Sequence, residues 1–209
     1  IADTGAKTVR IVKPYADNGK VRDQFSFAKE AGAIAIGMDI DHIFGERGYD
    51  VVVGEEMTFQ TEEMLESYIK DYKLPFVVKG VLSVRDAKKC ARIGASAIIV
   101  SHHHGRIPYA VPPLMILPKI KEALKDTNVK IIVDCSIETG ADVFKALALG
   151  ADAAAVGRSM MPSLQQEGVE GVKKFVSKVT SDLRYLMSST GFENVSKIDS
   201  SVLHFKENF

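Results

Sequence analysis

Six short apolar runs rich in β-branched residues, Thr8 to Val12, Ala33 to Asp39, Phe76 to Lys79, Ala97 to Ser101, Lys130 to Asp134 and Ala153 to Gly157, alternate along the chain with stretches of helical spacing. Runs that are continuously apolar, rather than alternating with polar residues, belong to strands covered on both faces, the usual condition of a parallel sheet. Parallel neighbours need a crossover of a dozen or more residues, and the spacing between runs leaves room for one each time. An open doubly wound sheet and a barrel both satisfy this alternation. The polar residues choose between them. Asp39 and Asp41, Lys79, Ser101 to His104, Asp134, and Gly157 with Arg158 all fall at C-terminal strand ends, where a barrel collects its chemistry. The expected fold is therefore α/β, a (β/α)8 TIM barrel. About six of its βα units are visible, and the first two are expected upstream of Ile1. Residues 1–209 are read as a single, N-terminally incomplete domain.

Local signals agree with the alternation. Ser83-Val84-Arg85-Asp86 resembles a capping box opening a helix that Gly94 closes, and Gly140 and Gly150 bracket another around Phe144, Ala146 and Leu147. After Gly168, Val169, Val172, Phe175, Val176, Val179, Leu183, Leu186 and Met187 recur at three- and four-residue intervals, which predicts a helix with one buried face. Phe44 to Phe59 has three glycines and no periodicity and reads as one long loop.

Composition narrows the partners. Lys plus Arg and Asp plus Glu are both 27, and no basic tract is present, so nucleic acid and anionic membrane surfaces are not expected partners. No apolar run approaches the roughly 20 residues that span a bilayer. With Cys90 and Cys135 the only cysteines and no signal-peptide pattern at the start, a reducing cytoplasm is expected and a structural disulfide is not. Cys90 reads as core, and Cys135 as a small filler or an exposed thiol beside Asp134.

Three ordered segments carry a family resemblance: Val77-Val78-Lys79-Gly80, then Ile99-Val100-Ser101-His102-His103-His104-Gly105-Arg106, then Asp142 to Ala151 leading to Gly157-Arg158. Together they resemble the FMN-dependent α-hydroxy-acid dehydrogenases and oxidases, a group that includes glycolate and lactate oxidases. The resemblance implies FMN as cofactor, oxidation of a small 2-hydroxy acid to the 2-oxo acid, and a homo-oligomer, commonly a tetramer. By position it makes His103 the base, Arg106 the clamp on the substrate carboxylate, and Lys79 the cation beside the flavin ring. It places Ser101, Asp134, Ser136, Gly157 and Arg158 against the cofactor, the last two as a phosphate pair.

The chain departs from that pattern at several places. Asp134-Cys135-Ser136-Ile137-Glu138 stands where the family has Asp-Gly-Gly-hydrophobic-Arg, so an anion replaces a phosphate-binding cation. His102 and His104 replace an asparagine and a glycine around the base. Lys13 occupies the place of a substrate-binding tyrosine, Asp39 that of a flavin-contacting threonine, and Arg47 aligns weakly with a second carboxylate-binding arginine. A run like Val12-Lys13-Pro14-Tyr15 points to a divergent bacterial branch. These changes motivate an alternative, a barrel that binds a phosphorylated ligand or a partner without flavin chemistry. A third reading is a metal-dependent hydrolase using His102, His104, His42 and Asp134, since alternate residues of an extended strand share a face.

Overall fold

All six apolar runs form strands: β1 (Val9–Val12), β2 (Ala35–Asp39), β3 (Phe76–Val81), β4 (Ala97–Val100), β5 (Lys130–Val133) and β6 (Ala153–Ala154). The computed structural model describes residues 2–205 except 42, 46, 47, 50, 53 and 108. The strands make one parallel sheet in the order β1-β2-β3-β4-β5-β6. A doubly wound sheet reverses its strand order at a switch point, whereas an unbroken sequential order is that of a (β/α)8 barrel. The last strand is shorter than its apolar run. After one further bond from Ala155 N to Val133 O, 2.8 Å, the backbone leaves the sheet.

The crossover helices are α1 (Asn18–Glu30), α2 (Glu62–Tyr72), α3 (Val84–Arg92), α4 (Pro113–Ala123), α5 (Gly140–Ala148) and α6 (Met161–Thr190). Four begin at side-chain caps on Asp17, Thr61, Ser83 and Thr139. The expected Ser83 cap accepts from Asp86 N at 3.0 Å, and Thr139 and Asp142 form a full capping box. Phe25 of α1 packs edge-on against Tyr68 and Tyr72 of α2 and Phe76 of β3, with ring centroids 5.3, 5.3 and 5.8 Å away, so aromatic burial ties these helices to the sheet.

Two local expectations need correction. The segment read as one loop contains two short antiparallel ribbons, Phe44–Gly45 with Gly48–Tyr49 and Val51–Val52 with Glu55–Glu56. Two-residue strands are too short to show any period, so the sequence carries no trace of them. In α6 the apolar stripe is not uniformly buried: Val169 and Val176 are exposed, while Leu183, Leu186 and Met187 pack with Phe144, Ala148 and Ile198. The reason is a break at Gly168 (φ 60°, ψ −138°) and contact with α5 through the later turns. That contact is close: a Cβ on Gly140 would lie 2.3 Å from Leu183 N.

Period-two alternation sorts the strand residues into layers. Ile36, Met38, Phe76, Val78, Ile98, Val100, Ile131 and Val133 face the helices in the main core. Ile11, Ala35, Val77, Ala97, Ile99 and Ile132 face one another on the opposite side, the barrel interior. Continuing in steps of two along each strand, the same inward direction is taken by Lys13, Asp39, Lys79, Ser101 and Asp134. A polar layer thus caps an apolar one at the C-terminal end of the sheet.

Candidate functional site

The polar layer is knitted together by charge. Lys13 Nζ lies 2.6 Å from Asp39 Oδ2, Lys79 Nζ lies 3.4 Å from Asp134 and 3.9 Å from Asp39 Oδ1, and Lys79 donates to Ser101 Oγ at 3.2 Å. Asp39 is only 3% exposed, and its Oδ1 has no hydrogen-bond partner. Burial, then the hydrogen it can share with Asp41 and that group's charge, push Asp39 up to about 6 against the pull of Lys79 and Lys13.

His103 enters this layer from the turn after β4. Its Nδ1 lies 2.9 Å from Asp41 Oδ1 and 3.1 Å from Oδ2, and 3.7 Å from Asp39 Oδ1. Burial alone raises the Asp41 carboxyl, but its bonds to His103 and Asp39, with the nearby Lys79, outweigh that and hold it well below the usual range. Room for Asp41 comes from Gly80, where the β3–β4 register shifts between Lys79 and Val81. Gly80 has φ +94°, and a Cβ there would meet Asp41 Cγ at 2.4 Å. Asp41 was legible only as a polar strand end, and no signal in the sequence paired it with a histidine 62 residues away.

A cleft of about 420 Å³ opens beside this network. Its lining includes Lys79, His103, Asp134 and Cys135, and also Ser136, Glu138, Gly157 and Arg158. Its floor is strained: His103, His104, Cys135 and Ser136 have φ of 54°, 60°, 70° and 56°, the left-handed region that favours glycine. Hydrogen bonds hold it there, since His104 N donates to Cys135 Sγ at 3.1 Å and the thiol lies 2.9 Å from Asp134 Oδ1. Burial and then Asp134 raise the Cys135 thiol, so this half-buried group is a hydrogen-bonded wall rather than a simple core filler. Cys90 is core as expected, pushed up to about 12 by burial.

Not every residue expected at the site reaches the cleft. Ser101 is fully buried; its hydroxyl accepts from Lys79 and from His103 N at 3.2 Å, so it stands behind both. Arg106 is exposed on the same turn and is not among the lining residues. Arg47 and His42 lie outside the described residues. Among the described residues, His102, His104 and Asp134 form no common metal cluster: His102 Nδ1 accepts from Gly105 N at 2.9 Å, and His104 is exposed. Among the described residues, Asp39, Asp41 and His103 bring their donor atoms within 4.8 Å of one another, but the ammonium groups of Lys13 and Lys79 already balance that charge. We read it as an ion-pair network.

A profile of the FMN-dependent dehydrogenase family matches residues 52–205, about three quarters of the chain. The chain belongs to the FMN-dependent dehydrogenase family. It is 39% identical over 132 residues to a 2-hydroxyacid oxidase of Dictyostelium discoideum, covering 63% of this chain and 34% of that protein. It is 34% identical over 173 residues to an L-lactate oxidase of Nostoc sp., covering 80% and 46%. Among solved structures, a mandelate oxidase variant with a monooxide FMN adduct superposes with a TM-score of 0.87 at 32% identity, covering 95% of this chain and 63% of that one. The chain spans about a third of the length of the first of these curated relatives. Among the described residues no helix is long and apolar enough to cross a membrane.

The family's cofactor is FMN, and the cleft fits it unevenly. Its volume lies in the range of small-molecule sites, roughly 300–1,000 Å³. Lys79 offers a cation, Asp134 an acceptor for hydroxyls, and Gly157 open space where a Cβ would meet nothing within 4 Å. These suit the ring and the sugar-like chain. The lining also carries both Arg158 and Glu138, so a phosphate in the cleft meets one cation and one anion.

Proposed function

We propose that this chain supplies the strand-end half of an FMN-dependent oxidoreductase that converts a small 2-hydroxy acid to the 2-oxo acid. The observation that carries the reading is the His103–Asp41 bond opening onto the same cleft as Lys79. With Nδ1–H donated to Asp41, the His103 Nε2 lone pair is left to take the substrate proton. Arg106, three residues on in the same turn, is the guanidinium for the substrate carboxylate. FMN, when bound, supplies the two-electron acceptor. Lys79 would offer a cation to its ring, Asp134 and Ser136 would hold the hydroxylated chain, and Gly157 and Arg158 would hold the phosphate. Ser101 acts by holding Lys79. A cytoplasmic homo-oligomer is the assembly we expect, and light scattering on the full-length protein checks it.

The test is the visible spectrum of full-length protein given FMN. Flavin bands that bleach anaerobically on adding a 2-hydroxy acid support the reading. A protein that stays colourless in excess FMN overturns it. Glu138 on the lining favours one second reading, a barrel that holds a phosphorylated ligand without redox turnover. Tight FMN binding with no bleaching by any of a panel of 2-hydroxy acids selects that reading.

A further inference from the structure

Asp39 carries one of the most tightly enclosed charges of the polar layer, and the groups around it come from every strand end nearby. Lys13 at the end of β1 contacts Oδ2 at 2.6 Å, and Lys79 of β3 and His103 after β4 approach Oδ1 to 3.9 and 3.7 Å. Asp41 brings a carboxylate oxygen within 4.8 Å of it, and Asp134 and Cys135 stand behind Lys79 and Ser101. Lys13 is not among the residues lining the cleft, and its side chain is 27% exposed against 4% for Asp39. Both residues are departures from the family pattern, and the geometry makes them one change: the new cation and the new anion neutralise each other.

We propose that Lys13 is a positioning residue, which supplies the counter-charge for buried Asp39 and thereby leaves Asp41 available to His103. The inference rests on His103 acting as the base. Its physical content is a competition for one carboxylate. A proton on Asp39 would have Asp41 as its nearest carboxylate acceptor, within 4.8 Å, and Asp41 is the group that otherwise orients the His103 ring. An ammonium 2.6 Å from Asp39 favours the ionised form and so keeps this hydrogen out of the network. Lys13 therefore acts on the base through two carboxylates without touching the ring. The acid side of the activity profile is therefore expected to respond to the charge on Lys13.

The experiment follows Asp39 by infrared spectroscopy of the full-length protein across pH, using the protonated-carboxyl band that Asp39→Asn removes. In the parent protein the band fades with a midpoint near 6. In Lys13→Met the midpoint rises by about one pH unit, the size expected for losing one close cation in a partly screened site, while Lys13→Arg stays close to the parent. Lys13→Gln removes the same charge with a hydrogen-bonding side chain and repeats the measurement if the methionine variant does not fold. The acid limb of kcat/KM is expected to move by the same amount in the same variants, with the alkaline limb unchanged. An unmoved band midpoint overturns the proposal. A band that moves while the acid limb stays put also overturns it, leaving the pair a structural ion pair and the proposed function intact. Absence of any turnover in the flavin-loaded parent overturns the proposed function, and with it the positioning role, whatever the band does.

Discussion

Asp41 and His103 are joined by a 2.9 Å hydrogen bond to Nδ1, made between a strand end and a turn 62 residues apart, and the carboxylate is almost wholly enclosed. A buried acceptor on one ring nitrogen selects the tautomer and fixes the plane of the imidazole, which a base must present correctly to its substrate. Replacing the acceptor by an amide keeps the shape and loses the charge. Asp41→Asn is expected to lower kcat by about 10²-fold or more with little change in KM, since the missing interaction matters most when the ring carries the proton. Steady-state kinetics on the flavin-loaded protein measures both, and an unchanged kcat removes Asp41 from the machinery.

Gly80 makes that bond sterically possible. At φ +94° an L side chain is strained, and its Cβ would sit 2.4 Å from Asp41 Cγ, so Gly80→Ala must move Asp41 or the bulge. The expected cost is about 1–3 kcal/mol of stability together with a loss of turnover resembling that of Asp41→Asn. Thermal unfolding and kcat check the two halves separately. A variant as stable and as active as the parent shows that the space at Gly80 is not needed.

How much of this was readable beforehand follows from the range of each signal. The strand-helix alternation and the polar strand ends are local patterns, and they led directly to the sheet and to Lys79, Asp134 and His103 at its top. The polar layer was also there in principle, because Ile11 to Lys13, Gly37 to Asp39, Val77 to Lys79, Ile99 to Ser101 and Ile132 to Asp134 each step two residues along one face. Pairing within the layer was not legible, since Lys13 and Asp39, or His103 and Asp41, meet only when neighbouring strands fix their register. Arg106 is exposed on the turn after β4, outside the lining, and its assignment to the substrate carboxylate rests on motif position alone.

Ser136 tests the strain in the cleft floor. Its φ of 56° lies where glycine pays no steric penalty, the residue is exposed, and Cys135 just before it has the same handedness. Relief of the left-handed conformation is worth about 1–2 kcal/mol, offset by roughly 0.5–1 kcal/mol of extra chain entropy in the unfolded state. Ser136→Gly is therefore expected to stabilise by a few tenths to about 1 kcal/mol, read from the midpoint of urea unfolding. A destabilised variant means the turn is held by contacts of the serine itself.

Glu138 gives a prediction of opposite character, gain of affinity without gain of stability. It is exposed on the same lining as Arg158, so it costs the fold little and acts mainly on an anion bound in the cleft. Changing it to arginine converts repulsion of a phosphate into attraction and is expected to tighten FMN binding by about 10-fold or more at low salt, with the gain shrinking as salt screens it. Fluorescence titration of FMN into Glu138→Arg and the parent measures this. Equal affinities at low salt place the phosphate elsewhere.

The two buried aspartates pull the pH dependence of stability in opposite directions. A carboxyl held low in the fold, as at Asp41, contributes stability above the ordinary aspartate range and loses it only as pH falls through its folded value. A carboxyl raised to about 6, as at Asp39, means the folded state binds a proton that the unfolded chain has already released. Its contribution therefore becomes less favourable as pH rises from about 4 to 6, and at neutral pH the buried charge opposes folding. Asp39→Asn removes the second effect, and whatever it changes at Asp41 acts mainly below pH 4. The stability of the variant relative to the parent is then expected to be greater at pH 7.5 than at pH 4 by about 2 kcal/mol, whatever constant offset the lost contact with Lys13 adds. Urea unfolding of both proteins at the two pH values provides the difference of differences. A value near zero shows that Asp39 ionises in the folded protein as it does in the open chain, and a value of the other sign shows that Lys13 and Lys79 overcompensate its burial.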